Sequence, residues 1–241
     1  MTTDPNEGAK RAAALRACDY VADGMRVGLG TGSTAAPMVR RLGERVRDEG
    51  LSLRCVPTSE RTADLAREVG LTVVALEDVG RLDVAIDGAD EADPSGALIK
   101  GAGGALLREK IVASASDRFV MIADEGKRVE TLGGRYPLPV EVAPFGWPVT
   151  QRTVETVLAD QDVARRDVAV REDADGLYRT DGGNLILDLH LDRIGNAHAL
   201  STALLAVPGV VDTGLFLDMT DVMIFGRADG GTDVVDVPRR A

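Results

Sequence analysis

The chain has 241 residues, 44% hydrophobic and 28% charged, which is enough apolar mass for a packed core and excludes disorder as its main state. No stretch nears the ~18 uninterrupted apolar residues that a membrane span needs. Against 28 basic residues stand 39 acidic ones, a net charge of −11 that repels nucleic acid and anionic membranes; the Arg239–Arg240 pair is too short for a binding tail.

Residues Lys10 to Ala22 read as a helix stopped at Asp23–Gly24, and Met25 to Leu29 as a strand ending in glycines. Ala35 to Glu49 reads as a helix with Val39, Leu42 and Val46 on one stripe and Gly50 as its stop. Leu51 to Val56 reads as a strand, Ser59 as the cap of a helix reaching Val69, and Leu71 to Ala75 and Leu82 to Ile86 as strands before a loop at Asp87–Asp93. A helix over Leu106 to Ala115 and a strand over Phe119 to Ala123 complete the alternation, the mark of a mostly parallel sheet covered on both faces. After Gly133–Gly134 the rhythm changes. A strand at Leu138–Val142, a helix at Pro148–Ala159, a hairpin of Val168–Arg171 and Asn184–Leu189, a helix at Asn196–Ala206 and a strand at Val210–Phe216 follow. That β-α-β-β-α-β order is the ferredoxin-like split arrangement. Val222–Phe225 and Val234–Val237 read as strands rejoining the first sheet. The expected fold is therefore α/β: a Rossmann-like domain from 1–132 and 217–241, with a ferredoxin-like α+β domain inserted at 133–216.

The N-terminus carries Asp4 and Glu7 and no apolar segment behind a basic start, so no signal peptide is read and the expected compartment is the cytoplasm. Cys18 and Cys55 read as small buried hydrophobes kept reduced. His190 and His198 are too few and too isolated for a zinc or metal-isomerase site. Chemistry falls to carboxylates, lysines, hydroxyls and backbone amides.

Three segments offer such chemistry. Gly28-Leu-Gly-Thr-Gly-Ser-Thr34 lies between a strand and a helix, where glycines admit an anion to the backbone and the helix N-terminus supplies free N–H groups. Thr31, Ser33 and Thr34 add hydroxyls; a tight turn with no ligand is the bland alternative. The Walker ending is missing, and the looser dinucleotide pattern lacks its acid, because Cys55-Val-Pro-Thr-Ser59 contains none. Asp87-Gly-Ala-Asp-Glu91 puts three carboxylates at the carboxyl end of an apolar strand, where open α/β sheets bind ligands; a solvated acidic turn is the alternative. Lys100-Gly-Ala-Gly-Gly-Ala-Leu-Leu-Arg-Glu109-Lys110 opens a helix with a cluster of backbone donors. Glu109 beside Ile111 and Val112 reads as partly buried, against the alternative of a surface charge. Of the four lysines, Lys10, Lys100, Lys110 and Lys127, three fall between residues 100 and 127, where compact point charges suit a phosphate or an oxyanion.

Taken in order, GLGTGST, DGADE, KGAGGALLREK, ADEGK, PLPVEV, GGNLILD and PGVVDTGLF resemble type A ribose-5-phosphate isomerase from Gly28 to about Gly226. The resemblance implies interconversion of ribose 5-phosphate and ribulose 5-phosphate in the pentose phosphate pathway, without metal or organic cofactor, by a homodimer or homotetramer whose small domain is a lid. It implies substrate binding by Thr31, Gly32, Ser33 and Thr34, by Asp87, Gly88, Ala89 and Asp90, by Lys100, Gly101, Ala102 and Gly103, and by Lys127. It implies Glu109 as catalytic base, with Lys100 and the amides of Gly101 to Gly104 facing the oxyanion and Asp87 aiding ring opening. Ala102 stands where many members have a third glycine. A non-catalytic sugar-phosphate sensor, a sugar-phosphate deaminase and a CoA transferase of the same broad fold are the alternatives.

Overall fold

The computed structural model describes residues 6–238; Asp4 and Arg239–Arg240 lie outside them. The chain divides into two compact units, one of Met1–Ala89, Arg108–Lys127 and Asp218–Ala241, the other of Asp90–Leu107 and Arg128–Leu217.

The first unit is built on a seven-stranded sheet in the order Thr72–Val73, Arg54–Pro57, Arg26–Leu29, Val84–Gly88, Phe119–Asp124, Val222–Gly226 and Thr232–Asp236. All neighbours are parallel except the last pair. Central strands of such a sheet are buried on both faces and need unbroken apolar runs. Phe119–Ala123 supplies one, and the strand Phe119–Asp124 is buried at every position. From Arg26–Leu29 the chain builds outward to one side, then returns to start Val84–Gly88 on the other, so the strand order reverses between them. The crevice beyond the carboxyl ends of that pair is where open α/β sheets receive ligands.

Helices cover both faces. The first spans Glu7–Ala17 and passes into a 3-10 turn at Cys18–Tyr20, so it starts before Lys10 and ends before Ala22. Its small face sits close to the sheet: a Cβ on Gly226 would fall 1.8 Å from the Ala9 carbonyl oxygen. Ser59 caps the helix Glu60–Glu68 by accepting from the Thr62 amide, and Gly50 ends Ala35–Glu49 in the left-handed region at φ 73°. Cys18 and Cys55 are both buried, and burial pushes each thiol up to about 12.

The second unit carries a four-stranded antiparallel sheet in the order Val210–Thr213, Leu138–Val142, Leu185–His190, Asp167–Val170. Helices Trp147–Leu158 and Ala197–Leu205 fall between the first two and the last two strands in sequence, the ferredoxin-like arrangement. Leu138, Val140 and Val142 share the core with Val154, Leu158, Leu200 and Leu204.

The structure departs from the sequence reading in three places here. The strand expected over Val210–Phe216 breaks at Gly214, and Leu215–Phe216 pairs with Leu98–Ile99, itself paired with Glu91–Ala92. This small antiparallel sheet replaces the loop expected at Asp87–Asp93 and draws Asp90–Leu107 into the second unit. Gly214 is required at the crossing because a Cβ there would lie 2.3 Å from the Lys100 carbonyl oxygen. Between Asp173 and Gly183 the expected plain hairpin connection forms an extra ribbon, Glu172–Asp173 with Gly176–Leu177.

Candidate active site

The first unit assembles its polar groups where the strand order reverses. Gly30, just past the first strand, donates its amide to the Ile86 carbonyl at 2.9 Å, and a Cβ on it would stand 2.1 Å from Asp87 Oδ1. Glycine at 30 is thus what lets the buried Asp87 side chain cross to the neighbouring loop. There Asp87 Oδ1 accepts from the Thr31 amide at 3.0 Å and from its neighbour Gly88 at 2.7 Å. Thr34 flanks the same spot, its Cβ in ordinary contact distance of where a Gly88 side chain would begin.

Thr31 itself turns inward. Its hydroxyl meets those of Thr58 at 2.7 Å, Ser59 at 2.8 Å and Thr62 at 3.2 Å, while Thr62 anchors to the Gly30 carbonyl at 3.1 Å. With its amide on Asp87 as well, Thr31 ties this loop to the end of the neighbouring strand and to the start of the helix Glu60–Glu68. The sequence offered no sign of this, because the three partner hydroxyls lie about 30 residues away. Ser33 is exposed, and Thr34 makes no side-chain cap on the helix Ala35–Glu49, so the first-turn amides carry no hydroxyl cap.

Lys10 is the residue that sequence reasoning missed. Its Nζ donates to Ser33 Oγ at 3.2 Å, which brings a cation to the loop from the first helix. Its signal was rarity, one of four lysines, but it lies far from the cluster between residues 100 and 127. A cavity of about 520 Å³ opens beside this loop, lined by Gly30, Gly32, Ser33, Arg40 and Arg61 among others; Asp87, Glu109 and Lys127 do not line it.

Glu109 lies on the helix Leu106–Ser114, and only 5% of it is exposed. This helix is the return between the parallel neighbours Val84–Gly88 and Phe119–Asp124, so its first turn stands at the carboxyl ends of the strands. Val112, one turn on and on the same face, packs so closely on Gly28 that a Cβ there would lie 2.5 Å from it. That contact seats Glu109 against the sheet and removes the reading of a solvated surface charge. Lys127 ends the 3-10 turn Glu125–Lys127 that follows the Phe119–Asp124 strand at the same edge.

The second unit holds the rest of the expected set. Lys100 is 2% exposed; its amide donates to the Gly214 carbonyl at 2.9 Å and its Nζ sits 5.3 Å from the Phe216 ring centroid. Asp90 Oδ2 accepts from the Ala102 amide at 2.9 Å, and the Gly104 amide donates to the Gly101 carbonyl at 3.0 Å. Both amides are therefore committed within the protein. Gly101 at φ 108° and Gly104 at φ 78° allow this compact turn. Ala102 points to open surface, so its methyl is tolerated. Glu91, the third carboxylate of its string, belongs to no site: fully buried, it accepts from the amides of Gly133, Arg135 and Tyr136 at 2.6 to 2.8 Å. Among the described residues no three His, Cys, Asp or Glu side chains cluster as metal ligands, and no helix is long and apolar enough to cross a membrane.

Residues 54–230 match the family model of ribose 5-phosphate isomerase A (phosphoriboisomerase A). The chain belongs to that family. A relative from a Jannaschia species named ribose-5-phosphate isomerase A is 58% identical over 97% of this chain and 88% of its own length. Among solved structures of the family, that of ribose 5-phosphate isomerase A from Methanocaldococcus jannaschii is 37% identical, with a TM-score of 0.88 over 96% of this chain and 99% of that one. A D-ribose-5-phosphate isomerase solved with phospho-erythronic acid is 35% identical, with a TM-score of 0.87 over 94% of this chain and 97% of that one.

Proposed function

We propose that this chain interconverts D-ribose 5-phosphate and D-ribulose 5-phosphate through an enediolate, without a metal, in the non-oxidative branch of the pentose phosphate pathway. The observation that carries the reading is family membership along nearly the whole chain. The buried Glu109 carboxylate at the carboxyl edge of the sheet supports it.

In this reading Glu109 takes the proton from C2 of the open-chain aldose. The C–H electron pair forms the C1–C2 double bond of the enediolate as the C1=O π pair moves onto O1; the O2 proton passes to O1, the C2=O bond forms, and the same carboxyl returns the proton at C1. A base so placed typically contributes about 10²–10⁴ in rate. Lys100 and the amides of Gly101 and Gly103 face the developing oxyanion, where one donor commonly contributes about 3–4 kcal/mol. Asp87, ordered by the Thr31 and Gly88 amides, assists ring opening, and Asp90 and Ala89 bind sugar hydroxyls. The phosphate is assigned to the loop amides at Gly32 to Thr34, just before the helix Ala35–Glu49, with Lys10 and Lys127 as its cations. The chain is taken to act in the cytoplasm as a homodimer or homotetramer; its acidic composition speaks against a nucleic-acid or membrane partner. A sensor would bind the sugar phosphate and leave it unchanged.

The test is ketose formation from ribose 5-phosphate by chelator-treated protein. Steady turnover is expected. Folded protein that binds the sugar phosphate without converting it would overturn the proposal.

A further inference from the structure

The carbonyl side of the Gly101–Gly103 loop is gripped by the outer face of the four-stranded sheet. Arg171, at the end of the Asp167–Val170 strand, is held by Asp188 of the Leu185–His190 strand through Nε at 2.8 Å and Nη2 at 2.5 Å. Both side chains are mostly buried, at 13% and 16% exposure, so this is not a solvated surface pair. The remaining nitrogen, Nη1, donates to the Gly101 carbonyl at 2.9 Å and the Ala102 carbonyl at 3.1 Å. Tyr178 stacks by the guanidinium at 5.8 Å and fills the space beside Gly104, where a Cβ would lie 2.1 Å from its hydroxyl.

In a trans peptide the C=O and the following N–H point in opposite directions. A fixed Gly101 carbonyl therefore turns the Ala102 amide away from the sheet, where it meets the Asp90 carboxylate. A fixed Ala102 carbonyl turns the Gly103 amide the same way. The two N–H groups of Nη1 serve the two carbonyls while Nε and Nη2 stay on the carboxylate that fixes the plane; lysine has a single head for both tasks.

We propose that Arg171, locked by Asp188, is a positioning residue for the isomerisation: it aims the Gly103 amide at the oxyanion and sets Asp90 through the Ala102 amide. The proposal rests on the isomerase reading and on the place of this loop at the reacting carbons. A donor displaced by an ångström loses about 10²-fold. Its loss falls on the transition state more than on bound substrate.

The test compares Arg171→Met and Arg171→Lys with the parent enzyme. The readouts are kcat and KM for ribose 5-phosphate, the inhibition constant of phospho-erythronic acid, whose carboxylate carries two oxygens as the enediolate does, and thermal unfolding. Both variants should lose kcat, about 10- to 100-fold for methionine and less for lysine, with KM within about threefold. Inhibition by the acid should weaken by a factor that follows kcat/KM. A kcat within twofold of the parent in a folded Arg171→Met would overturn the proposal. So would a kcat loss with unchanged inhibition, since a merely structural role lowers stability without that correlation. If Arg171→Met does not fold, Arg171→Lys decides by the same criteria. An inactive parent would instead refute the isomerase reading.

Discussion

Replacing Asp87 separates its work on the loop from its work on substrate. The carboxylate is 3% exposed, and one oxygen holds two amides, of Thr31 at 3.0 Å and Gly88 at 2.7 Å. Hydrogen bonds to a charged acceptor contribute about 1.5–3 kcal/mol each, those to a neutral one about 0.5–1.5 kcal/mol. Asp87→Ala removes both, and water reaches the half-buried amides only in part, so it should cost about 3 kcal/mol. Asp87→Asn keeps an acceptor oxygen in place and forfeits only the charge, at a cost of about 1–2 kcal/mol. For a chain of this size one kcal/mol moves the melting temperature by about 2–4 °C. Calorimetry should thus show a fall of about 6–12 °C for alanine and about 2–8 °C for asparagine. Turnover follows a different order, because the charge is lost in both; each should fall by about 10² or more. An Asp87→Asn enzyme with near-parental kcat would refute the chemical role. An Asp87→Ala enzyme that melts with the parent would refute the structural one.

Glu91 should be intolerant even of amidation: it accepts three backbone amides, and a glutamine would turn an NH₂ group toward one of them. Urea unfolding should place Glu91→Gln nearly as low as Glu91→Ala, about 3 kcal/mol below the parent; a parental midpoint for glutamine would contradict that geometry. Cys18 and Cys55 should resist a thiol reagent at pH 8 and react fully on unfolding, because burial holds both thiols up at about 12. Their folded values lie above the ordinary 9.0, so the stability they contribute is complete below pH 9 and lost as pH rises toward 12. Cys55→Ala should flatten that alkaline decline; an unchanged slope would count against it.

The Rossmann-like alternation and the ferredoxin-like insertion were legible because both follow from periodicity and punctuation. Strand Phe119–Asp124 is apolar up to Ala123, helix Glu60–Glu68 carries its serine cap, and helix Trp147–Leu158 has a proline in its first turn. Two-residue strands carry no such period. Glu91–Ala92, Leu98–Ile99 and Leu215–Phe216 exist because each pairs with another, so the membership of Asp90–Leu107 in the second unit could not be read locally. The candidate site divides along the same line. Glycine-rich loops and the acidic string announce themselves in sequence, and the structure joins Thr31 to Asp87 and Ala102 to Asp90. Roles set by distant partners stayed hidden. Thr31 points to hydroxyls at the start of the helix Glu60–Glu68, Lys10 reaches Ser33 across 23 residues, and Arg171 meets Gly101 across 70.

Cleavage of the C2–H bond tests the central claim, Glu109 as the shuttling base, most directly. Ribose 5-phosphate deuterated at C2 is given to the parent and to Glu109→Gln, and loss of deuterium from C2 is followed by NMR. The account predicts loss in step with turnover for the parent and a rate at least about 10²-fold lower for the variant. Loss in a folded Glu109→Gln at a rate near the parent's would contradict it.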